Sequence, residues 1–325
     1  MAQGYRFDPE LAEFAAMAPV PGPAAPDSGV AEAVAQREQA RTVMSMLGES
    51  DLSGLVVEEV RIPGLDGAPD VPALVYRPEA LIGTGPGIVQ IHGGGFSSGS
   101  IFGDMEGASG LARAAGIVVV TPEYRLAPEH PAPAAVEDCY ATLCWVHANA
   151  ERLELDPARI AIGGGSAGGG IAAGLALMAR DRGGPAICFQ FLMIPELDHR
   201  LETPSMRQFD DTPMWNRHAA EQSWRWYLGA GHDGDVSPYA SPSIAPDLTG
   251  LPPAYVSAME FDPLRDEAIH YALRLLEAGV SVELHSFPGT FHGSALVTTA
   301  AVSKRESAER LAVMRRALGL DAVSS

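Results

Sequence analysis

His92-Gly93-Gly94-Gly95 and Gly164-Gly165-Ser166-Ala167-Gly168 are the two stretches on which the reading of this chain turns. The second has the Gly-x-Ser-x-Gly form of a nucleophile elbow, where a strand turns sharply into a helix and presents one serine at the bend. Flanking glycines let the backbone make that turn. The first stretch supplies backbone N–H groups, unobstructed by side chains, to a developing oxyanion. In this order the two predict an acyl-transfer hydrolase with Ser166 as nucleophile. Gly93, Gly94 and Ala167, the residue after the nucleophile, would provide the oxyanion N–H groups. Gly95 would serve the bend, and His92 would hold the loop rather than act as a second base.

Two rivals fit the glycines less well. Gly163-x-Gly165-x-x-Gly168 has dinucleotide-binding spacing, but it comes mid-chain after several strand-like runs. The first acidic residue beyond the next strand, Glu196, lies well past the spacing of about 20 residues that such a site uses for its ribose. A Gly-rich turn in which Ser166 merely caps a helix is the other rival.

Outward from the elbow, Gly87–Ile91, Ile117–Thr121, Ile160–Ile162 and Cys188–Met193 are short, nearly continuous apolar runs. Parallel strands buried on both faces read this way. Residues Gly107–Ala115, Ala134–Ala150 and Ala167–Arg180 between them have helical patterns. Pro253–Ala258, a helix over Asp266–Ala278, Ser281–Phe287 and a last helix over Ser303–Leu318 continue the alternation. Earlier, Leu55–Ile62 and Val71–Tyr76 read as a strand pair around Gly64-Leu65-Asp66-Gly67. The prediction is an α/β fold with a mostly parallel central sheet flanked by helices.

Two segments break the rhythm. Residues 1–50 contain Pro19-Val20-Pro21-Gly22-Pro23 and a helix over Val30–Leu47. Residues 197–246 carry Trp215, Trp224, Trp226 and Tyr227 at partly helical spacing, either as core packing or as a substrate wall. These segments form the expected helical cap, over a core made of 51–196 and 247–325. Phe96, Phe209, Met214, Trp215 and Leu264 are the candidate pocket walls.

Of 325 residues 46% are apolar, enough for a large core. The formal charge of −19, from 41 acidic and 22 basic side chains, opposes binding to nucleic acid or anionic membranes. No apolar run is long enough to span a bilayer, and the first 20 residues lack a secretory pattern. Cys139, Cys144 and Cys188 form no metal-ligand pattern and suit the reducing cytoplasm. No metal or cofactor is expected.

A serine hydroxyl needs a base, and the base needs an orienting acid. In this architecture they follow as Ser, Asp or Glu, His. His292 lies just beyond the last strand in Pro288-Gly289-Thr290-Phe291-His292-Gly293 and is the expected base. His270 and His285 fall within regular elements, while His199, His218 and His232 belong to the cap segment. Asp262, set in a loop by Pro263, is the favoured acid, with Asp266 and Glu260 as alternatives. Arg125 and Glu129 in Tyr124-Arg125-Leu126-Ala127-Pro128-Glu129-His130-Pro131 read as a buried pair supporting the site.

These motifs, with Asp262-Pro263-Leu264-Arg265-Asp266-Glu267 and Phe291-His292-Gly293, make the chain resemble the hormone-sensitive-lipase-like esterases, bacterial family IV of the α/β-hydrolases. The resemblance covers roughly Val71 to His292. It implies the α/β-hydrolase fold and a cofactor-free serine carboxylesterase acting on short-to-medium acyl esters, with Ser166, Asp262 and His292 as the triad. The same machinery would also serve an amidase, a lactonase or an acyltransferase, and the fold also hosts non-catalytic small-molecule receptors. Dimers are frequent in the family. Here Ser281–Phe287 suits either an edge strand pairing across a two-fold axis or a strand covered by the final helix. One departure stands out: the residue before the nucleophile is usually Asp, and here it is Gly165.

Overall fold

The structure, a computed structural model, describes residues 4–23, 25, 29–45, 50–229 and 231–320. One sheet contains β1 (Leu55–Ile62), β2 (Val71–Pro78), β3 (Gly85–Ile91), β4 (Val118–Pro122), β5 (Leu155–Gly165), β6 (Gln190–Met193), β7 (Ala254–Phe261) and β8 (Val282–Phe291). Their order is β1-β2-β4-β3-β5-β6-β7-β8. β2 runs antiparallel to both β1 and β4, and every other neighbouring pair is parallel. This is the α/β-hydrolase arrangement expected from the sequence.

The continuous apolar runs follow from having two covered faces. Val89, Ile91, Val118, Val120, Ile160 and Ile162 point to one side, while Ile88, Val119 and Ala161 point to the other. Before the first strand lie α1 (Ala12–Met17) and α2 (Val30–Ser45). The last two residues of the helix expected over Val30–Leu47 lie outside the described residues. α3 (Met105–Ala115) and the C-terminal α9 (Ala301–Ala317) pack on the second face of the sheet. α4 (Ala134–Ala148), α5 (Ala167–Asp181) and α8 (Arg265–Glu277) pack on the first. Among the described residues no helix is long and apolar enough to cross a membrane.

The largest departures from the expected strand limits are at β5 and β8. β5 starts at Leu155, which pairs with Gly85 across a register shift, so the non-strand-like run Asp156-Pro157-Ala158-Arg159 hides its first half. β8 continues through Pro288 and Gly289 to Phe291, with a register irregularity opposite Met259 and Phe261. Residues expected to form a loop are therefore strand, and His292 follows directly from the sheet.

Between β6 and β7 stand α6 (Pro204–Gln208) and α7 (Arg217–Leu228). Asn216 caps α7 through its side-chain oxygen, which accepts from Ala219 N–H at 3.2 Å. The same side chain donates to the Pro21 carbonyl at 2.8 Å, and Met214 N–H donates to Pro19 at 2.7 Å. Gln222 reaches Glu32 of α2 at 3.0 Å. The N-terminal segment and the segment between β6 and β7 thus lie against each other. Trp224, Trp226 and Tyr227 are buried in the main core, so most of the aromatic stripe is packing.

Candidate active site

Ser166 stands at the turn from β5 into α5 with φ 57° and ψ −124°, a strained conformation for a residue with a side chain. The surroundings enforce it. Ser166 N–H donates to the Met193 carbonyl of β6 at 2.9 Å, and its own carbonyl accepts from Gly170 and Glu196 at 3.0 and 3.1 Å. α5 can start this close to the sheet because Gly168 lacks a side chain. A Cβ there would lie 2.2 Å from the Ile91 carbonyl oxygen.

The ends of β7 and β8 bring two further groups to the serine. His292 Nε2 lies 3.0 Å from Ser166 Oγ, and His292 Nδ1 lies 2.8 Å from Asp262 Oδ2. A carboxylate only accepts, so the imidazole proton sits on Nδ1 and Nε2 is left to accept from the serine hydroxyl. Asp262 is buried and its Oδ1 accepts from Leu264 N–H at 2.9 Å, which fixes the carboxylate plane. The alternative acids face elsewhere. Glu260 accepts from Gly289 N–H at 2.6 Å, and Asp266 binds Ser205 N–H and Arg265. His285 is held between Glu283 and Glu309, and His199 contacts Ser241.

The His92–Gly95 loop passes directly over the elbow. A Cβ on Gly93 would lie 2.9 Å from the Gly165 carbonyl oxygen and 3.5 Å from Ser166 Cβ. Gly94 has φ +124°, and a Cβ there would fall 2.2 Å from the Ser98 carbonyl oxygen. Burial drives the His92 imidazole down to about 4, so it is neutral, and its Nδ1–H donates to the Gly93 carbonyl at 2.8 Å. Its ring stacks on Tyr124, whose hydroxyl donates to the His92 carbonyl at 3.0 Å. Ala167 opens α5, where backbone N–H groups have no partner within the helix.

Arg125 and Glu129 do not pair with each other. Arg125 forks onto Asp138 of α4, and Glu129 receives Arg37 of α2, which lowers its carboxyl below the usual range. The turn between them sends the two side chains to different helices. Arg37 also donates to the carbonyls of Ser97 and Ala127, stapling α2 to the loop. Nothing local in the sequence marks that arginine.

Trp215 is the aromatic residue that reaches the site. Its ring centroid is 5.6 Å from that of His292, and its edge would meet a Cβ on Gly95 at 2.6 Å. Met214 packs beside Gly293, and Leu264 joins Trp215 in a small apolar cluster. Phe96 stacks on Tyr227, while Phe209 packs against Tyr5 and Phe261.

A Cβ added at Gly165 would have the Met193 carbonyl oxygen as its nearest neighbour, at 3.9 Å, and the φ of Gly165 lies outside the left-handed region. Glycine is not sterically required there. Gly165→Ala should fold, keep kcat/KM near the parent value and gain about 0.4–1 kcal/mol by restricting the unfolded chain. A thermal melt checks this, and a lower Tm would reveal an unfavourable contact.

Residues 88–296 match a family model described as alpha/beta hydrolase fold. Carboxylesterase NlhH of Mycobacterium tuberculosis is 41% identical over 89% of this chain and 90% of its own length. A bacterial heroin esterase structure superposes with a TM-score of 0.91 at 52% identity, covering 96% of this chain and 98% of that one. The esterase LipW from Mycobacterium marinum gives 0.84 at 37% identity, with 96% of each chain covered.

Proposed function

Since the chain belongs to the α/β-hydrolase family and is a carboxylic ester hydrolase, we propose that Ser166 is its nucleophile, His292 its base and Asp262 the acid that orients the base. The observation that carries this is the unbroken chain from Ser166 Oγ through His292 to Asp262, with links of 3.0 and 2.8 Å. Ser166 attacks the ester carbonyl as His292 Nε2 takes its proton, and Asp262 stabilises the imidazolium. The oxyanion is received by the N–H groups of Gly93, Gly94 and Ala167. His292 then protonates the departing alcohol, and water repeats the cycle on the acyl-enzyme.

In this reading residues 1–50 and 197–246 are the two parts of a cap over the core formed by 51–196 and 247–325. The hydrogen bonds from Met214, Asn216 and Gln222 to the N-terminal segment support that division. The substrate is a small ester. A homodimer through β8 is part of the proposal, supported by the position of β8 at the sheet edge. Cytoplasmic residence is also proposed, supported by three free cysteines.

Initial rates on p-nitrophenyl esters with two to twelve acyl carbons test the specificity. Trp215 narrows the space beside His292, so rates should peak at short chains and fall toward dodecanoate. A maximum at the longest chains would overturn that placement of the wall. Matched ester and amide substrates, run side by side, separate an esterase from an amidase.

A further inference from the structure

Gly94, Gly95 and Phe96, in the loop that carries two of the proposed oxyanion N–H groups, have φ of 124°, 55° and 55° in succession. Phe96 has a side chain, and a left-handed backbone there persists only where the surroundings impose it. The turn itself is closed by Ser97 and Ser98 N–H, which donate to the Gly94 carbonyl at 3.2 and 2.9 Å. The next three carbonyls are each taken by a different segment. That of Gly95 accepts from the buried Ser223 hydroxyl of α7 at 3.1 Å. That of Phe96 accepts from Ala127 N–H at 3.0 Å. That of Ser97 accepts from Arg37 Nε of α2 at 2.5 Å.

Arg37 reaches further than one carbonyl. It also donates to Ala127 at 2.6 Å, so the guanidinium holds both Ser97 and the residue that holds Phe96. Glu129 receives the rest of the fork at 2.6 and 2.7 Å, which fixes its plane. Charged donors make the stronger class of hydrogen bond, and the Arg37 side chain is only 16% exposed. From α7, Tyr227 stacks on Phe96 with ring centroids 3.8 Å apart. The two helices are joined to each other as well, by Gln222 donating to Glu32 at 3.0 Å.

We propose that Arg37 and Ser223 are positioning residues for this loop, so that Gly93 and Gly94 meet the reacting carbonyl only while α2 and α7 are seated on the core. The inference rests on the proposed roles of Ser166, Gly93 and Gly94. Each side chain acts through the carbonyl it holds rather than on substrate. Oxyanion donors work at about 2.7–3.1 Å from the developing charge. A loop free to relax at Phe96 therefore loses transition-state stabilisation before it loses substrate binding, and kcat falls while KM holds.

The test is kcat and KM for a short p-nitrophenyl ester, with the melting temperature and the Ki of a short alkyl trifluoromethyl ketone. Wild type, Arg37→Ala, Arg37→Lys and Ser223→Ala are compared. The ketone adds Ser166 Oγ reversibly, and the oxyanion of its hemiketal calls on the same N–H groups as the ester does. Arg37→Ala should lose about 10- to 100-fold in kcat, the scale of a small misplacement, with KM unchanged. Its ketone Ki should rise by the factor that kcat/KM falls. Ser223→Ala should lose about tenfold in kcat, the effect of one hydrogen bond, with a matching rise in Ki. Arg37→Lys keeps the charge opposite Glu129 but not the planar fork, so it should recover the melting temperature more than kcat. A guanidinium that only pinned α2 would shift the melting temperature and leave kcat and Ki alone, and that result overturns the inference. So does a rise in KM at constant kcat. If Arg37→Ala does not fold, Ser223→Ala decides alone, and parental kcat and Ki there overturn it. Wild type that turns over no ester and binds no ketone would sink the nucleophile assignment, and this inference with it.

Discussion

Ser166→Ala is expected to lower turnover on p-nitrophenyl esters by about 10⁶ while leaving the fold intact. The size follows from the place of Ser166 Oγ at the end of the His292–Asp262 chain. Without Oγ, His292 Nε2 has no nucleophile to activate, and only residual stabilisation by the loop remains. The strained φ of Ser166 persists with alanine, so the melting temperature should change little. Residual activity near the parental level, in protein free of contaminating esterase, would remove Ser166 from the mechanism.

Asp262→Asn should cost about 10⁴ in kcat with KM nearly unchanged. Asp262 accepts on both sides, from His292 Nδ1 at 2.8 Å and from Leu264 N–H at 2.9 Å. An amide has one acceptor oxygen and one donor nitrogen. If its oxygen faces Leu264, its NH₂ forces the imidazole into the wrong tautomer, with the proton on Nε2. If its oxygen faces His292, two donors collide at Leu264 in a buried place. Either way the base is lost or displaced. A loss of less than tenfold would point to another acid, and Glu260→Gln and Asp266→Asn would then be measured.

The parts of the site that are legible in the sequence are those set by local backbone demands. Ser166 and the glycines around it announce a sharp turn, and the turn is there. His292 and Asp262 stand out because each follows an apolar run that has to be a strand. The buried strands themselves are readable because both faces of the sheet are covered, so nearly every position is apolar.

What stays hidden depends on contacts between distant segments. Arg37 reaches Ser97, Ala127 and Glu129 from α2, and no pattern within residues 30–45 marks it. An Arg125–Glu129 pair is the natural reading of neighbouring opposite charges, yet each finds its partner on a different helix. Trp215 and Trp224 look alike in a helical stripe, but of the two Trp215 stands over His292. In the sequence Glu196 is notable only as an acidic residue after a strand. In the fold it is completely buried, which nothing local in the sequence announces.

The central claim is that Ser166 becomes covalently acylated. A p-nitrophenyl alkylphosphonate mimics the ester and leaves a stable adduct on an activated serine. After stoichiometric inactivation, peptide mapping by mass spectrometry should place one phosphonyl group on Ser166, and the His292→Ala variant should remain unlabelled. An adduct on any other residue, or complete inactivation with Ser166 unmodified, would contradict the account.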